Sequence, residues 1–467
     1  MKKEELLQFY NRTAVSRAKW KRRNWFYHKS LQQYFSYIVA EGSRVIEIGC
    51  GAGDLLNSVK PAYGVGVDFS PLIIEQAKQK YPHLRFYVQD VEELNIDEKF
   101  DYIILSDLVG CLWDIQKALN NLRKLCHPQT RLVISNYSYL WESVMILGEK
   151  MRIKLPQPKQ NWISNADIET LLELEDFQVV TIHKKLLLPK YIPVLNFIFN
   201  RGIANFPILN NLDLINLIVA RPLSAPEPEY SVSIIIPARN EQGNIENAIK
   251  RTGVFGLSQE FIFVEGHSSD HTWEEMIRVK EAYPGVNIRV IRQTGKGKGN
   301  AVREGFDLAS GEILMILDAD LTMPPEELGK FYRALKQNKG EFINGCRLVY
   351  PMDRQAMRFL NFLANRFFGL FFTYLLGQRL KDTLCGTKVL FKRDYLSIIK
   401  NRRYFGDFDP FGDFDLLFGA AKLNLKITEI IIRYRDREYG STQISRFKHG
   451  WLLVKMSFFA ARKMKFK

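Results

Sequence analysis

The sequence predicts an α/β protein made of two domains, each with its own sheet. Its 467 residues are too many for one hydrophobic core, so at least two domains are expected. In each half, short apolar runs end in glycine-rich or acidic turns, which is typical of buried parallel strands followed by helices. Residues 224–230 contain two prolines and no apolar periodicity. We therefore expect a domain at 1–223, a linker at 224–230 and a second domain at 231–467.

The amino-acid composition indicates which binding partners and which redox compartment to expect. At 46% hydrophobic residues the chain is globular, and its formal charge of +15 indicates anionic partners, which include nucleic acid, an anionic membrane and phosphorylated substrates. The five cysteines are scattered without a CxxC pair, so we expect neither a disulfide framework nor a zinc site, and a reducing compartment fits best. The N-terminus lacks the apolar core of a signal peptide, and the longest uncharged apolar run, 367–378, is too short to span a bilayer.

A glycine-rich turn follows the first predicted strand. The apolar run 44–48 leads into Gly49, Gly51 and Gly53. Glycines at this density allow the backbone to approach a ligand closely where a strand turns into a helix. A second predicted strand ends on Asp68, about 20 residues further on, where an acid can hydrogen-bond both ribose hydroxyls. A nucleotide-like ligand is therefore expected.

Two kinds of domain share this opening. A nicotinamide-binding fold would need a third glycine at the position of Asp54. The pattern G-x-G-x-G preceded by Glu47 resembles instead the class I S-adenosylmethionine-dependent methyltransferases. In that family the glycine turn faces the methionine part of the cofactor, the acid after the second strand holds the ribose, and the acid after the third strand lies beside the adenine. The resemblance implies an S-adenosylmethionine site made by Glu47, Gly49, Gly51, Gly53, Asp68 and Asp90.

The resemblance also implies a Rossmann-like domain with a seven-stranded sheet. A helix at 167–174 precedes two late strands that complete this number. The predicted strands lie at 44–48, 63–67, 84–88, 102–105, 131–135, 177–183 and 214–220. No motif identifies the methyl acceptor. Asp107, Trp113 and Asp114 lie where a base would stand, and an ordinary role as loop and helix-start residues fits them equally well.

The second half opens on V-S-I-I-I-P-A-R-N-E, a buried strand at 232–236 followed by a turn and a helix that begins near Glu241. Three further blocks follow in order: F-I-F-V-E-G-H-S-S-D-H-T, then G-K-G-K-G-N-A-V-R-E-G-F, then L-D-A-D. Lys296 and Lys298 of the middle block lie in a flexible loop that can reach a diphosphate. Together the four blocks resemble glycosyltransferase family 2, which has the GT-A fold. The resemblance implies a nucleotide-sugar site made by Pro237, Ala238, Asn240, Glu241, Glu265, Asp270, Lys298 and Asp318.

Asp318 and Asp320 end a short apolar run that suits a buried strand. They are therefore expected at the carboxyl end of a strand, where open α/β sheets bind ligands. Two acids that flank one small residue can hold a hard divalent cation, Mg²⁺ or Mn²⁺, which would neutralise the diphosphate of a departing nucleotide. The alternative is an ordinary solvated Asp-Ala-Asp turn.

Downstream, the order of four motifs resembles the polyprenyl-phosphate sugar synthases, such as dolichol-phosphate mannose synthases. The motifs are G-C-R-L-V-Y, D-T-L-C-G-T-K, F-G-D-F-D-L-L and R-E-Y-G-S-T. In such enzymes arginines cradle the acceptor phosphate and the sugar diphosphate, because a guanidinium fork matches a phosphate. The candidates here are Arg347, Arg358 and Arg437.

Two acids in these motifs have an open role, and two residues differ from the family pattern. Asp413 and Asp415 are candidates to orient the acceptor or a sugar hydroxyl, or else they cap a helix. Thr322 stands where relatives often place a metal-contacting Gln, and Gln443 where the family commonly has Lys.

Two acid-free stretches, 354–381 and 439–467, are basic, aromatic and amphipathic. Such helices lie in the membrane interface, so peripheral contact with an anionic membrane surface is expected. The alternative is that their apolar faces pack on the domain or on a partner subunit.

The sequence thus predicts a bifunctional enzyme: a methyltransferase fused to a metal-dependent glycosyltransferase that loads a sugar from a nucleotide-diphosphate sugar onto a polyprenyl-phosphate lipid. We expect it to be cytoplasmic, on the cytosolic face of a membrane, with no nucleic-acid partner; the oligomeric state is open. Two alternatives are transfer to a saccharide or protein hydroxyl, which would need a true base near Asp413 or Asp415, and a membrane-associated scaffold whose first half only binds cofactor. The intact Gly51 and Asp68 argue against the scaffold.

Overall fold

The computed structural model describes residues 3–158, 160–223, 229–349, 359–400, 413–435, 437, 439, 454, 455, 457, 458 and 460–462. It divides into two compact units, one of which is Met1–Leu223 and the other begins at Ser224 and continues to Lys465. Each unit has its own sheet and its own core.

The first unit is built on a seven-stranded sheet. Its strands are β1 (Arg44–Ile48), β2 (Tyr63–Asp68), β3 (Arg85–Val88), β4 (Phe100–Ser106), β5 (Cys126–Tyr137), β6 (Phe177–Lys185) and β7 (Ile215–Pro222). They lie in the order β3-β2-β1-β4-β5-β7-β6, and β7 runs antiparallel to both of its neighbours while the other pairs are parallel. The predicted α/β class and the seven strands are confirmed.

Helices cover both faces of this sheet. They are α1 (Lys3–Arg23), α2 (Trp25–Ile38), α3 (Asp54–Ser58), α4 (Pro71–Lys80), α5 (Ile115–Arg123), α6 (Glu142–Lys150) and α7 (Asn165–Leu174). Val45 belongs to one buried cluster, and Ile46 and Ile48 belong to another, so β1 is apolar on both faces. α7 begins slightly before the predicted helix because the side chain of Ser164 caps it.

The second unit has a mixed seven-stranded sheet. Its strands are β8 (Ser231–Ala238), β9 (Ser258–Glu265), β10 (Asn287–Arg292), β11 (Ile313–Ile316), β12 (Phe342–Cys346), β13 (Lys388–Phe391) and β14 (Ile427–Ile431). The order is β10-β9-β8-β11-β13-β12-β14, and only β13 runs antiparallel to its neighbours. The carboxyl ends of β8, β9 and β11 therefore meet at one edge of the sheet, where ligands are expected.

The helices of the second unit are α8 (Ile245–Arg251), α9 (Thr272–Ala282), α10 (Lys298–Leu308), α11 (Leu328–Lys336), α12 (Phe359–Leu376), α13 (Lys392–Lys400) and α14 (Asp413–Lys422). The helix predicted near Glu241 begins as the 3-10 turn Gln242–Asn244 and continues as α8. Ile234 and Ile235 point to different buried clusters, so β8 too is covered on both faces.

The two stretches predicted to lie in a membrane interface have mixed environments. In α12, Phe372 and Leu375 are buried in the core, whereas Phe367 and Leu370 are exposed. Near the C-terminus Ala460 is buried and Phe458 is exposed, while 451–453 and 463–467 lie outside the described residues. Within the described ranges, no helix is both long enough and apolar enough to cross a bilayer.

Candidate functional site

The glycine turn after β1 has a backbone that favours glycine. Gly49, Gly51 and Gly53 have φ angles of +69°, +53° and +77°. A Cβ atom at Gly49 would lie 2.9 Å from Leu108, and one at Gly53 would lie 2.8 Å from Phe86. At Gly51, by contrast, a Cβ atom would meet nothing within 4 Å. The turn therefore presents bare backbone to open space at Gly51.

Asp68 and Glu47 hold this turn in place from two strands. The Oδ2 and Oδ1 atoms of Asp68 accept hydrogen bonds from the backbone nitrogens of Gly51 (3.1 Å) and Ser70 (3.0 Å). The Oε2 atom of Glu47 accepts one from the backbone nitrogen of Leu56 (2.9 Å). Burial raises the pKa of Glu47 to about 8, and it raises the pKa of Asp68 as well. Both acids are thus buried at the ligand edge of the sheet.

A cavity of about 890 Å³ opens at this edge. The structure brings most of the predicted cofactor residues together in its wall: Glu47, Gly49, Gly51, Asp68 and Asp90. Asp90 also caps a short 3-10 turn, where its Oδ1 atom accepts from the backbone nitrogen of Glu92 (2.9 Å). Its volume lies in the usual range of small-molecule sites.

The N-terminal helices form another wall of the cavity, a role that the sequence motifs did not predict. Tyr10, Ala14, Arg17 and Lys21 of α1 line it, and so does His28 of α2. The α1 residues recur at helical spacing, which is the signal that would have identified this face. Burial lowers the pKa of His28 to about 4, so its imidazole is neutral at pH 7.

Asp107 is the centre of a hydroxyl network in the same cavity. It has φ = +52°, and its carboxylate accepts hydrogen bonds from the hydroxyls of Tyr27 (2.5 Å), Ser135 (2.7 Å) and Tyr137 (3.4 Å). Burial raises the pKa of Asp107 despite these hydrogen bonds. A half-buried carboxylate that accepts hydrogen bonds from three hydroxyls in the wall of a cavity can orient a polar substrate.

The other two acceptor candidates have simpler roles. Asp114 caps α5, because its Oδ1 atom accepts from the backbone nitrogen of Lys117 (2.9 Å). Trp113 is largely exposed and lies at the cavity wall. Of the three candidates, Asp107 is half-buried and is the one bonded to several side-chain hydroxyls.

In the second unit, Asp318 follows β11 and is paired with Lys298. The Nζ atom of Lys298 lies 2.5 Å from Oδ1 of Asp318. Burial would raise the pKa of Asp318, but the charge and hydrogen bond of Lys298 outweigh it and hold the pKa below its usual value. Gly386 lies against both side chains, so that any Cβ atom there would overlap them. The D-T-L-C-G-T-K segment is thus packed onto the predicted diphosphate site, and the buried Lys388 of this segment also lowers the pKa of Asp318.

Asp320 is paired with a cation from the far end of the unit. Arg437 donates from Nη2 to Oδ2 of Asp320 (2.7 Å) and from Nη1 to Oε1 of Glu241 (2.8 Å). Thr322, at the position of the expected Gln, donates its hydroxyl to Oδ1 of Asp320 (2.9 Å). Burial raises the pKa of Glu241 to about 6. Arg437 therefore joins the end of β8 to the acidic pair.

The remaining predicted nucleotide-sugar residues form the loops that follow β8 and β9. Ala238 pairs with Glu265 at the ends of the two strands, and Pro237 precedes it. The side-chain oxygen of Asn240 accepts from the backbone nitrogen of Ser269 (2.8 Å). Asp270 accepts from the backbone nitrogen of Thr272 (3.1 Å), and so fixes the start of α9. Glu265 accepts from the backbone nitrogen of Ser268 (2.5 Å).

Two of the three predicted acceptor-phosphate arginines act on the acidic pair: the charge of Arg347 helps to lower the pKa of Asp318, and Arg437 bonds to Asp320. Arg347 forms a two-pronged ion pair with Asp382 (Nε–Oδ2 2.7 Å, Nη2–Oδ1 2.8 Å), and this pair is buried. Asp415 is buried in the first turn of α14, which begins at Asp413. Arg358 lies outside the described residues, as does Gln443.

Asp318 and Asp320 fit a divalent cation only in part. Where the structure is described, no group of three or more His, Cys, Asp or Glu side chains is arranged to hold a metal ion. Mg²⁺ prefers six oxygens, and it is commonly bound by one or two carboxylates together with substrate phosphates. The pair therefore suits a cation that arrives with, and is completed by, a diphosphate.

Comparison with known families assigns each unit. Residues 40–174 match the family model "Methyltransferase domain", and residues 233–399 match "Glycosyl transferase family 2". The predicted pairing of these two families is confirmed.

Curated relatives match the second half. A dolichol-phosphate mannosyltransferase of Pyrococcus furiosus is 40% identical over 121 residues, which are 25% of this chain and 33% of the relative. An undecaprenyl-phosphate 4-deoxy-4-formamido-L-arabinose transferase of Serratia proteamaculans is 26% identical over 48% of this chain and 66% of the relative. The chain thus spans between a third and two thirds of these relatives.

Solved structures match the first half. The magnesium protoporphyrin IX methyltransferase of Synechocystis PCC 6803 with bound SAH has a TM-score of 0.35 and 16% identity, and the match covers 47% of this chain and all of that one. An N-methyltransferase of Bradyrhizobium japonicum WM9 in complex with S-adenosyl-L-homocysteine has a TM-score of 0.31 and 17% identity, over 43% of this chain and 88% of that one.

Proposed function

Because the chain joins a methyltransferase domain to a family 2 glycosyltransferase domain, we propose that it is a bifunctional enzyme. The first unit transfers a methyl group from S-adenosylmethionine. The second transfers a sugar from a nucleoside-diphosphate sugar to a polyprenyl-phosphate-type acceptor, as the names of the relatives suggest. One observation carries the proposal: Asp318 and Asp320, at the ligand edge of the sheet, are each paired with a cation of the chain.

The charges at this edge suit a diphosphate leaving group. A divalent cation, when bound by the two carboxylates, supplies neutralisation of the charge that develops on the departing nucleotide. Before the cation binds, Lys298 and Arg437 are paired with the carboxylates. Both side chains can donate hydrogen bonds to phosphate oxygens. The loops after β8 and β9 then bind the nucleoside through Asn240, Glu241 and Glu265.

The acceptor phosphate makes a strong general base unnecessary. A phosphate monoester is already ionised at neutral pH, so it can attack the anomeric carbon directly while the nucleoside diphosphate leaves. Arg437 donates a hydrogen bond to Asp320, which supports a role in holding the acceptor phosphate or the diphosphate. Arg347 supports the site indirectly, because Asp382 engages its guanidinium.

In the first unit, the cofactor and the acceptor share one cavity. Gly51 and Asp68 hold the methionine and ribose parts of the cofactor, and Asp90 lies beside the adenine. When bound, the cofactor supplies an electrophilic methyl group. Asp107, with the hydroxyls of Tyr27 and Tyr137, orients the polar group that receives it.

A membrane location follows from the acceptor. A polyprenyl phosphate keeps its chain in the bilayer, so the enzyme works at the cytosolic face as a peripheral protein. The exposed Phe367 and Leu370 of α12 and the exposed Phe458 support contact with lipid. Removal of 451–467 should release much of the protein from anionic vesicles in a salt-dependent way, measured by sedimentation.

A transfer assay tests the function of the second unit. The full chain is incubated with a panel of nucleotide sugars and a short-chain polyprenyl phosphate, with Mg²⁺, with Mn²⁺ and with excess EDTA. We expect a lipid-phosphate sugar product that EDTA abolishes. Product on a saccharide hydroxyl alone, or full activity in EDTA, would contradict the proposal. For the first unit, S-adenosylmethionine at ~100 times its dissociation constant should add ~2.7 kcal/mol to stability.

A further inference from the structure

The first unit carries an exposed apolar surface that its fold does not use. The surface consists of two segments, residues 139–151 and 191–212, and is called the apolar surface below. Large hydrophobic side chains in these segments face solvent: among them are Leu140, Leu147, Met151, Val194, Phe197 and Ile208. Contiguous apolar surface of this kind marks an interaction site in a soluble domain.

Contacts between the two segments, and with the start of α2, place them side by side. The indole nitrogen of Trp141 donates to the carbonyl of Leu212 (2.8 Å). The ring of Tyr191 packs against Trp25 and Phe26 at the start of α2, with ring centroids 5.4 Å and 5.6 Å apart. Arg23, at the end of α1, donates to the carbonyl of Arg152 (2.7 Å), which directly follows the first segment, so the helix junction lies near both segments.

The first segment of the apolar surface borders the proposed methyl-transfer cavity. Three side chains in and just after α6 are exposed to solvent and also line the cavity: Val144, Leu147 and Met151. Pro189 and Lys190, just before the second segment, line it too. A molecule lying against this surface would therefore have its polar end at the cavity that contains Asp107.

The charge around the surface favours an anionic lipid bilayer over an apolar protein partner. From 177 to 212 the chain contains no Asp or Glu, whereas it contains Lys184, Lys185, Lys190 and Arg201. The first segment contains Glu142 and Glu149 beside Lys150, and Arg152 follows it, so the excess of cations lies in and around the second segment. Exposed aromatic and aliphatic side chains among cations are the combination that binds at the headgroup level of a membrane.

We propose that the apolar surface docks the methyltransferase unit on an anionic phospholipid bilayer, and that its methyl acceptor is a lipid-linked polar group that enters the cavity from the membrane side. The proposal rests on the proposed methyl-transfer function for the acceptor, whereas the docking itself does not. It concerns the first unit alone and is separate from the acid-free stretches of the second.

Two residues allow the surface to be changed without harming the fold. Val194 and Ile208 are 71% and 80% exposed and have φ angles of +66° and +73°. β-Branched side chains are strained at positive φ, so exchanging them for unbranched asparagine adds no strain. The double variant Val194→Asn/Ile208→Asn should therefore fold at least as well as the parent while losing two apolar contacts with lipid.

A lipid-contact probe tests the docking in the full chain. An environment-sensitive fluorophore is attached to Phe197→Cys and, as a matched control, to Leu174→Cys, whose native side chains are 66% and 61% exposed. Leu174 is the last residue of α7 and precedes β6, whereas the second segment follows the other end of β6. Leu174 therefore lies outside the apolar surface. Four native cysteines are buried and Cys111 is half-buried, so the unsubstituted chain serves as the labelling blank. The vesicles contain phosphatidylglycerol and brominated phosphatidylcholine, which quenches the fluorophore on contact.

We expect the probe at 197 to shift to shorter wavelength and to be quenched, and the probe at 174 to stay unchanged. Val194→Asn/Ile208→Asn should abolish most of the quenching at 197, and Arg201→Gln should weaken the partition of the chain into vesicles about fivefold. If the chain sediments with vesicles while the probe at 197 is unquenched, the second unit docks and this proposal is wrong. A probe at 197 that is already blue-shifted without vesicles, or that shifts with protein concentration, would assign the surface to contact within the chain or to a second copy, and would also overturn it.

The acceptor class has its own readout. With radiolabelled S-adenosylmethionine, label should appear in the chloroform-soluble fraction when membrane lipid extract is supplied as vesicles, and Val194→Asn/Ile208→Asn should reduce this label more than it reduces cofactor binding. Label that appears only in water-soluble products would refute the lipid-linked acceptor. Failure to bind S-adenosylmethionine at all would refute the methyl-transfer function, whereas the quenching result would still decide the docking.

Discussion

The Nζ atom of Lys298 lies 2.5 Å from Oδ1 of Asp318, at the edge of the sheet where the nucleotide is expected. Lys298→Met should lower kcat/KM for sugar transfer about 10- to 100-fold, because a charge-assisted hydrogen bond to the diphosphate worth ~1.5–3 kcal/mol is lost. Lys298→Arg keeps the charge and should recover part of the rate. Steady-state kinetics with the nucleotide sugar varied provide the measurement, and an unchanged rate in Lys298→Met would limit the lysine to pairing with Asp318.

The acidic pair should be required for sugar transfer. Asp318→Asn and Asp320→Asn keep the shape of each side chain and remove its charge, so each should reduce the rate at least ~100-fold by weakening cation and diphosphate binding. Asp307→Asn, on an exposed part of α10, is the matched control and should be silent. Near-normal rates in both variants would mean that the pair is only a turn.

Asp68 should be required for cofactor binding but not for sugar transfer. Asp68→Ala removes hydrogen bonds to the ribose and should weaken S-adenosylmethionine binding by ~1.5–3 kcal/mol in a calorimetric titration. The exposed Asp97→Ala is the control in the same unit. If affinity is unchanged, Asp68 only ties the glycine turn to β2.

Glu47→Gln should flatten the pH dependence of stability in the first unit. Burial raises the folded-state pKa to about 8 from an ordinary value of 4.5, so the folded state keeps a proton that the unfolded state loses. Stability therefore falls as pH rises through this window, by ~1.4 kcal/mol for each pH unit, and levels off above the folded-state pKa. Glutamine does not ionise, so the variant should lack this slope in thermal melts across the window. A parental slope in the variant would place the proton elsewhere.

The Arg347–Asp382 pair should stabilise the second unit. Asp382→Asn leaves a buried guanidinium without its charge partner and should destabilise the unit by ~3–5 kcal/mol in denaturant titrations. The double variant Arg347→Met/Asp382→Leu removes both charges and should recover most of this loss. Sugar transfer then separates two roles for Arg347: activity that returns with stability means positioning only, and activity that does not return means phosphate binding.

Features fixed by local patterns were predictable from the sequence. The apolar run before Asp318 predicted a buried strand, and β11 ends just before that residue. The glycine turn was predictable for the same reason, since its backbone angles depend on three neighbouring residues. Local pattern also predicted the central parallel strands of the first sheet, such as β1 and β4, because strands buried on both faces read as uniform apolar runs.

Features that depend on distant contacts were not predictable. Arg437 bonds to Asp320 across 117 positions and to Glu241 across 196, and no periodicity connects them. The motif order suggested a phosphate ligand at Arg437 but not its partners. Asp107 meets Tyr27 across 80 positions in the same way. The residues of α1 that line the cavity recur at helical spacing, so the face itself could be recognised in the sequence. No local pattern indicates which part of the fold such a face covers.

The pairing of Asp318 and Asp320 with Lys298 and Arg437 makes the site resemble an ion exchanger. Before substrate arrives, Asp318 is paired with Lys298, and Asp320 is paired with Arg437, which it shares with Glu241, so most of the local charge is already balanced. When a cation binds together with a diphosphate, the cation replaces Lys298 and Arg437 as the partner of the two carboxylates. The diphosphate replaces the carboxylates as the partner of Lys298 and Arg437, so the balance of charge is almost unchanged. Either ion alone would leave one chain group unmatched in a partly buried place, which favours the two ions binding as a complex.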